Sequence, residues 1–151
     1  MDTSTKAISD ILQSKGISPS LHRIKIYQYL MTHRTHPNVD TIYKELVNEI
    51  PSLSKTTVYN TVKTLAQKGI LLELTIDSTE SRYDADIHPH IHFRCTSCGN
   101  IYDIEYNLLN IKGLEKLERA TIEGHQIHSS HIYLYGICKN CLTRHSKKTQ
   151  N

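Results

Sequence analysis

A chain of 151 residues, 38% of them apolar, can hold one ordinary domain or two small ones and excludes a large single core. No apolar run approaches the roughly 20 residues of a membrane span, and Met1 to Lys15 lacks the apolar stretch of a secretory leader, so a cytoplasmic protein with no membrane partner is expected. The formal charge of +3 divides as +2 over residues 1–83 (ten Lys/Arg less eight Asp/Glu) and +1 over the rest, so bulk charge does not establish nucleic-acid binding.

The first half reads as helices followed by a hairpin. Ser4 to Lys15 predicts a helix with Ala7, Ile8, Ile11 and Leu12 on one face and Gly16 at its end, and Pro19-Ser20 restarts the chain. A second helix, about Leu21 to His33, carries Ile24, Tyr27, Leu30 and Met31 on one stripe. Asn38 caps a third, in which Val39, Ile42, Tyr43, Leu46 and Val47 follow helical spacing as far as Pro51. Ser54 caps a fourth that runs to Lys68, with Val58, Val62 and Leu65 inward and Gly69 beyond its end. Ile70 to Ile76 and Ser81 to Asp84, either side of a polar turn, predict a two-stranded wing. Helices two to four and a hairpin match the winged helix-turn-helix, whose last helix enters the major groove.

The composition changes at about Ala85 to Pro89. His90 to Cys95 and Asn100 to Glu105 predict strands flanking a knuckle, Leu108 to Ile122 a helix with Leu108, Ile111, Leu114 and Leu117 on one stripe, and His131 to Ile137 a further strand. The tail Thr143 to Asn151 is polar and is expected to fray. The fold class expected is α+β: a winged-helix domain over residues 1–84, a hinge at 85–89 and a small α/β domain over 90–151.

All four cysteines fall in two C-x-x-C pairs, Cys95/Cys98 and Cys138/Cys141, each at the end of a predicted strand. A reducing compartment favours metal over disulfides, and four thiolates suit tetrahedral Zn²⁺, because each knuckle turns two sulfurs toward one centre. The competing readings of such pairs are a redox dithiol or two disulfides.

His88, His90 and His92 alternate, so on a strand they share a face. With Asp84 upstream and Asp103 on the neighbouring strand, two or three imidazoles and two carboxylates can form a pocket for Fe²⁺, Mn²⁺ or Zn²⁺, without a built-in choice among them. The same histidines on an exposed strand would simply titrate in solvent. His36, beside Pro37 at the start of helix three, is placed to join such a pocket, whereas His33, His125, His128, His131 and His145 are read as ordinary. On helix four, Lys55, Thr56, Thr57, Tyr59, Asn60 and Lys63 occupy the outer face and offer the groups that contact phosphates and base edges, although a polar outer face is common to any solvated helix.

These motifs together resemble the ferric uptake regulator (Fur) family and, within it, the peroxide-sensing (PerR-like) branch. The resemblance is carried by Ser20-Leu21-His22-Arg23, His36-Pro37, Thr57-Val58-Tyr59-Asn60, Ser81-Arg82-Tyr83-Asp84, His90-x-His92-x-x-Cys95-x-x-Cys98-Gly99 and Tyr135-Gly136-x-Cys138-x-x-Cys141. It implies a homodimer joined through the second domain, a structural zinc on Cys95, Cys98, Cys138 and Cys141, and a regulatory Fe²⁺ or Mn²⁺ held by His36, Asp84, His90, His92 and Asp103. It further implies a repressor that binds an inverted-repeat double-stranded operator, with Arg23, Lys55, Thr56, Thr57, Tyr59 and Asn60 as the DNA-facing set. In the peroxide-sensing branch, iron-catalysed oxidation of a ligand histidine, here His36 or His90, releases the DNA. Aspartate at 84 and 103 resembles that branch, since Fur itself usually carries glutamate; a further metal site of many relatives is lacking, its positions being Pro89, Ile91, Asn110 and Ser130. The chain departs from the family at Ser20-Leu21-His22-Arg23, usually Thr-x-Gln-Arg, and in the extra imidazole of His88.

Iron-responsive and zinc-responsive repressors of the same family are the alternatives. An enzyme is not expected: a zinc deaminase needs His-x-Glu before Pro-Cys-x-x-Cys, whereas Arg94 and Ile137 precede the two pairs, and a four-thiolate zinc has no open position. A zinc-ribbon interaction module without DNA binding is a third possibility.

Overall fold

The computed structural model describes residues 2–109, 113 and 120–148. The chain forms two compact units, Met1–Ile87 and His88–Asn151.

The first unit holds α1 (Thr5–Ser14), α2 (Leu21–Thr32), α3 (Val39–Leu46) and α4 (Lys55–Gln67). Each helix starts where a side-chain oxygen accepts from the amide three residues on: Ser4 from Ala7, Ser20 from Arg23, Asn38 from Thr41 and Ser54 from Thr57. Ile8 and Leu12 of α1, Ile26 and Leu30 of α2, Ile42 of α3, and Val58, Val62 and Leu65 of α4 meet in one core. α2 is buried more broadly than its single predicted stripe, because it packs against α1, α3 and α4, and Ile26 and Tyr29 join Tyr27 and Leu30 inside. Thr61 is a second addition to the predicted face, buried beside Val62 on α4.

The wing is narrower than expected. β1 (Leu72–Leu74) pairs antiparallel with β2 (Arg82–Asp84), Glu73 opposite Tyr83. Ile70, Leu71 and Ile76 flank β1 as buried residues rather than ladder members, so their apolar run reports burial rather than pairing. The connecting turn closes on Asp77, whose Oδ1 accepts from the Thr79 amide at 3.3 Å and whose Oδ2 accepts from Arg82 at 3.1 Å.

The second unit runs β3 (Ile91–Cys95), β4 (Ile101–Ile104), a 3-10 turn (Tyr106–Leu109), a short hairpin of β5 (Thr121–Ile122) and β6 (His125–Gln126), then β7 (Tyr133–Gly136) and α5 (Lys139–Lys148). β3 is central in a three-stranded sheet, antiparallel to β4 and parallel to β7. The helix predicted over Leu108 to Ile122 falls largely on residues 110–112 and 114–119, outside the described residues. At its ends the expectation fails: Leu108 lies in the 3-10 turn, and Thr121 and Ile122 pair as β5, turned back by Glu123 at φ 50° and Gly124 at φ 83°. Of the tail expected to fray, residues 149–151 lie outside the described residues. α5 grows directly out of the second knuckle, with the Leu142 amide donating to the Cys138 carbonyl at 3.0 Å, and continues to Lys148.

Candidate metal centres and nucleic-acid face

The cysteine pairs meet because β3 and β7 are parallel neighbours, with Cys95 opposite Gly136, so both strands deliver their knuckles to the same end of the sheet. One sulfur from each of Cys95, Cys98, Cys138 and Cys141 lies within 4.8 Å of all the others, and none forms a disulfide. Cys98 Sγ and Cys138 Sγ are 3.8 Å apart, the edge of a tetrahedron built on a metal–sulfur distance of about 2.3 Å. The Cys138 amide donates to Cys95 Sγ at 3.3 Å and, with the amides of Cys98 and Ser97, pulls that thiol down to about 6, outweighing burial. The Cys141 amide and the Tyr102 hydroxyl lower Cys138 in the same way. Cys141 moves the other way: against a lowering hydrogen bond to Ser97, those to the neighbouring thiols together with burial push it up to about 11. Bound Zn²⁺ would hold it as the thiolate, so the donor set and spacing fit a structural zinc. Cys95, Cys138 and Cys141 are buried with Phe93 and Tyr102 packed on them. Tyr102 carries no ligand signal in the sequence; its alternation with Ile101 and Asp103 on β4 places it beside the thiols.

Within the second unit, His90, His92 and Asp103 converge. β3 and β4 set His92 opposite Asp103. His90 Nε2 lies 2.9 Å from His92 Nε2 and 3.4 Å from Asp103 Oδ1, and His92 Nε2 lies 3.8 Å from that same oxygen. His90 Nδ1 is 2.7 Å from the backbone carbonyl of His88, which can only accept, so Nδ1 donates to it and Nε2 is the ring nitrogen turned to the cluster. His88 therefore reaches this group through its main chain, while its imidazole is exposed. Two imidazoles and a carboxylate suit a first-row divalent ion.

Within the first unit, His36 and Asp84 form a second small donor set. His36 Nε2 lies 3.5 Å from Asp84 Oδ2, and both side chains are almost fully buried. β2 carries Asp84 and is tied to the His36-Pro37 segment by the Tyr83 amide, which donates to the Pro37 carbonyl at 3.1 Å. His36 has φ 51°, a left-handed conformation rare outside glycine.

On α4, Lys55, Thr56, Tyr59 and Asn60 are exposed, while Thr57 is half-buried and its hydroxyl sits 2.8 Å from that of Ser54. The Lys63 ammonium lies 5.6 Å from the centroid of the Tyr59 ring. Arg23, in the first turn of α2, donates to the Ser18 carbonyl at 2.7 Å. Lys55 is turned toward Asp40 of α3, a partner with no sequence signal.

A winged helix, a thiolate quartet and imidazole–carboxylate donors in one chain define a metal-responsive regulator. The family model described as the ferric uptake regulator family matches residues 14–135. Over 130 residues, 86% of both chains, the sequence is 35% identical to the peroxide-responsive repressor PerR of Staphylococcus aureus. The chain belongs to the ferric uptake regulator family. Among solved structures, the Campylobacter jejuni peroxide stress regulator superposes with a TM-score of 0.64 at 27% identity, covering 93% of this chain and 100% of that one. The Helicobacter pylori ferric uptake regulator, described as having three functional metal binding sites, shares the fold with a TM-score of 0.70 at 18% identity, covering 92% and 94%.

Proposed function

We propose that the protein is a homodimeric, metal-dependent DNA-binding repressor that senses peroxide through oxidation of a ligand histidine. The observation that carries this reading is the convergence of His90 Nε2, His92 Nε2 and Asp103 Oδ1 within 3.8 Å, a nitrogen-rich set without thiolate. Similarity to peroxide-responsive relatives supports it. By resemblance to the family, we propose that His36 and Asp84 complete the ligand set, so that metal binding would govern DNA binding. The dimer, joined through the second unit, then presents two α4 helices to half-sites about one DNA turn apart. Arg23, Lys55, Thr56, Thr57, Tyr59 and Asn60 face the DNA. The zinc on the four cysteines is structural and holds the second unit together; with four thiolates it has no open position for hydrolysis, consistent with a regulator rather than an enzyme.

Fe²⁺ held by these residues would supply the electrons that reduce H₂O₂. In net terms one H₂O₂ inserts one oxygen at a ring carbon of His36 or His90 and leaves one water. The altered ring is a poorer donor, the ligand set loses a member, and the posture required for two half-sites relaxes. Aspartate at 84 and 103, shorter than glutamate by one methylene, favours this reading over iron-uptake control.

Protein loaded anaerobically with Fe²⁺ is expected to bind an inverted repeat selected from random duplexes and to release it on stoichiometric H₂O₂, with a mass gain of one oxygen on a peptide containing His36 or His90. Iron-activated binding with unchanged mass and affinity after peroxide would establish iron-uptake control instead. Binding supported by Zn²⁺ alone would establish zinc control, and no binding in any metal state would leave a zinc-ribbon interaction module.

A further inference from the structure

A cation at the first position of a helix faces the positive end of the helix dipole. Lys55 is such a cation, and it is turned away from the axis of α4. Its ammonium contacts Oδ1 of Asp40, in the first turn of α3, and lies 5.8 Å from the centroid of the Tyr43 ring. The other carboxylate oxygen of Asp40 lies 3.3 Å from Lys44. Hydrogen bonds from Lys55 and then Lys44 hold the Asp40 carboxyl below the usual carboxylate range. Thr56, Tyr59 and Asn60 next to it are exposed on the outer face of α4. The wing repeats the theme, since Arg82 lies 3.1 Å from Asp77 and 2.9 Å from Glu80.

We propose that Asp40 is an intramolecular counter-ion that positions Lys55 and competes with DNA phosphate for it, thereby setting the sequence-independent part of the affinity of this reading head. The proposal rests on the DNA-binding reading above. The Lys55 and Asp40 side chains are 55% and 44% exposed, so the pair sits in high dielectric and a phosphate can displace the carboxylate. When it does, Asp40 keeps only Lys44 as a cationic neighbour and draws solution cations toward it, so the net number of counter-ions released falls by at most one for each reading head. Asp40 therefore restrains binding to any duplex without favouring one sequence, because a phosphate contact carries no base information.

The test compares the wild type with Asp40→Asn, Asp40→Glu, Lys55→Gln and the Asp40→Asn/Lys55→Gln double variant. Binding is measured over a range of salt on a selected inverted repeat and on a mixed-sequence duplex of the same length. Asp40→Asn is expected to tighten binding by about 1.5- to 5-fold per reading head on both duplexes. It should steepen the slope of log K against log salt by up to about 0.9 per head, or up to about 1.8 for a dimer. Asp40→Glu should behave as wild type, Lys55→Gln should flatten the slope, and Asp40→Asn should add nothing in the Lys55→Gln background. An unchanged slope in Asp40→Asn, or a change that persists without Lys55, overturns the proposal. A gain confined to the selected repeat also overturns it, because Lys55 would then read a base. If the wild type binds neither duplex in any metal state, the DNA-binding reading falls and takes the proposal with it. Carbon NMR titration of the Asp40 carboxyl separates the two failures: its midpoint rises in Lys55→Gln if the pair exists and stays put if it does not.

Discussion

His36 combines three features that rarely coincide: a left-handed backbone, a side chain only 1% exposed, and a carboxylate at 3.5 Å. A non-glycine residue in that region costs of the order of 1–3 kcal/mol, a cost that recurs at functional positions. This is consistent with its proposed place among the metal ligands. The cysteines make the opposite use of the backbone, since here amides rather than strain prepare the donors. Cys138 links two of them, bonded by the Cys141 amide and the Tyr102 hydroxyl while its own amide serves Cys95. Cys138→Ser is expected to remove one thiolate and a partner of Tyr102, so zinc per chain should fall from about one to well below half at micromolar free zinc. Metal analysis of protein purified without chelator checks this, and full zinc retention would remove Cys138 from the site.

At the scale of elements, the first unit is held by four capped helices around one core, and the cap of α3 does more than end a helix. Asn38 Oδ1 accepts from the Thr41 amide at 2.7 Å, while its Nδ2 donates to Glu80 in the wing. The same residue thus starts the helix that carries Asp40 and fastens the β1–β2 turn beside it. Asn38→Ala is expected to cost about 1–2 kcal/mol in denaturant unfolding of the first unit. Asn38→Ser, which keeps a capping oxygen but not the amide donor, should lose the smaller part. Equal losses in both variants would mean that the tie to Glu80, not the cap, carries the stability. In the second unit β3 has the central role: β4 brings Asp103 to its histidines along one edge, and β7 brings Cys138 and Cys141 to its cysteines along the other.

At the scale of the molecule, the two units draw on different sources of stability. The core of the first gathers buried side chains from all four helices, including Ile8, Ile26, Ile42 and Leu65. In the second, the described core residues are Ile91, Ile101 and three of the cysteines, with Phe93 and Tyr102 partly covered. Structural zinc typically contributes about 10–16 kcal/mol, which exceeds the net stability of most small domains. Removing zinc with a strong chelator is therefore expected to unfold the second unit while the helices of the first persist. Far-UV circular dichroism should retain most of the helical signal, and amide exchange should become fast from His90 onward. Loss of the whole helical signal on chelation would show that the first unit does not stand alone. Among the described residues, no helix is long and apolar enough to cross a membrane.

The local order of this protein was written in its residue pattern. Ser4, Ser20, Asn38 and Ser54 start the helices, the apolar spacing of α1, α3 and α4 marks their inner faces, and two C-x-x-C pairs announce a thiolate centre, because each of these signals acts over a few residues of backbone. Pairing between distant segments was left to the tertiary structure. The parallel alignment of β3 with β7, the double-sided burial of α2, the Tyr102 hydroxyl on Cys138 and the Asp40 carboxylate on Lys55 all depend on which segments meet across long stretches of chain. Spacing tells which way a side chain faces on its own element, but what waits for it there is decided only when the elements pack.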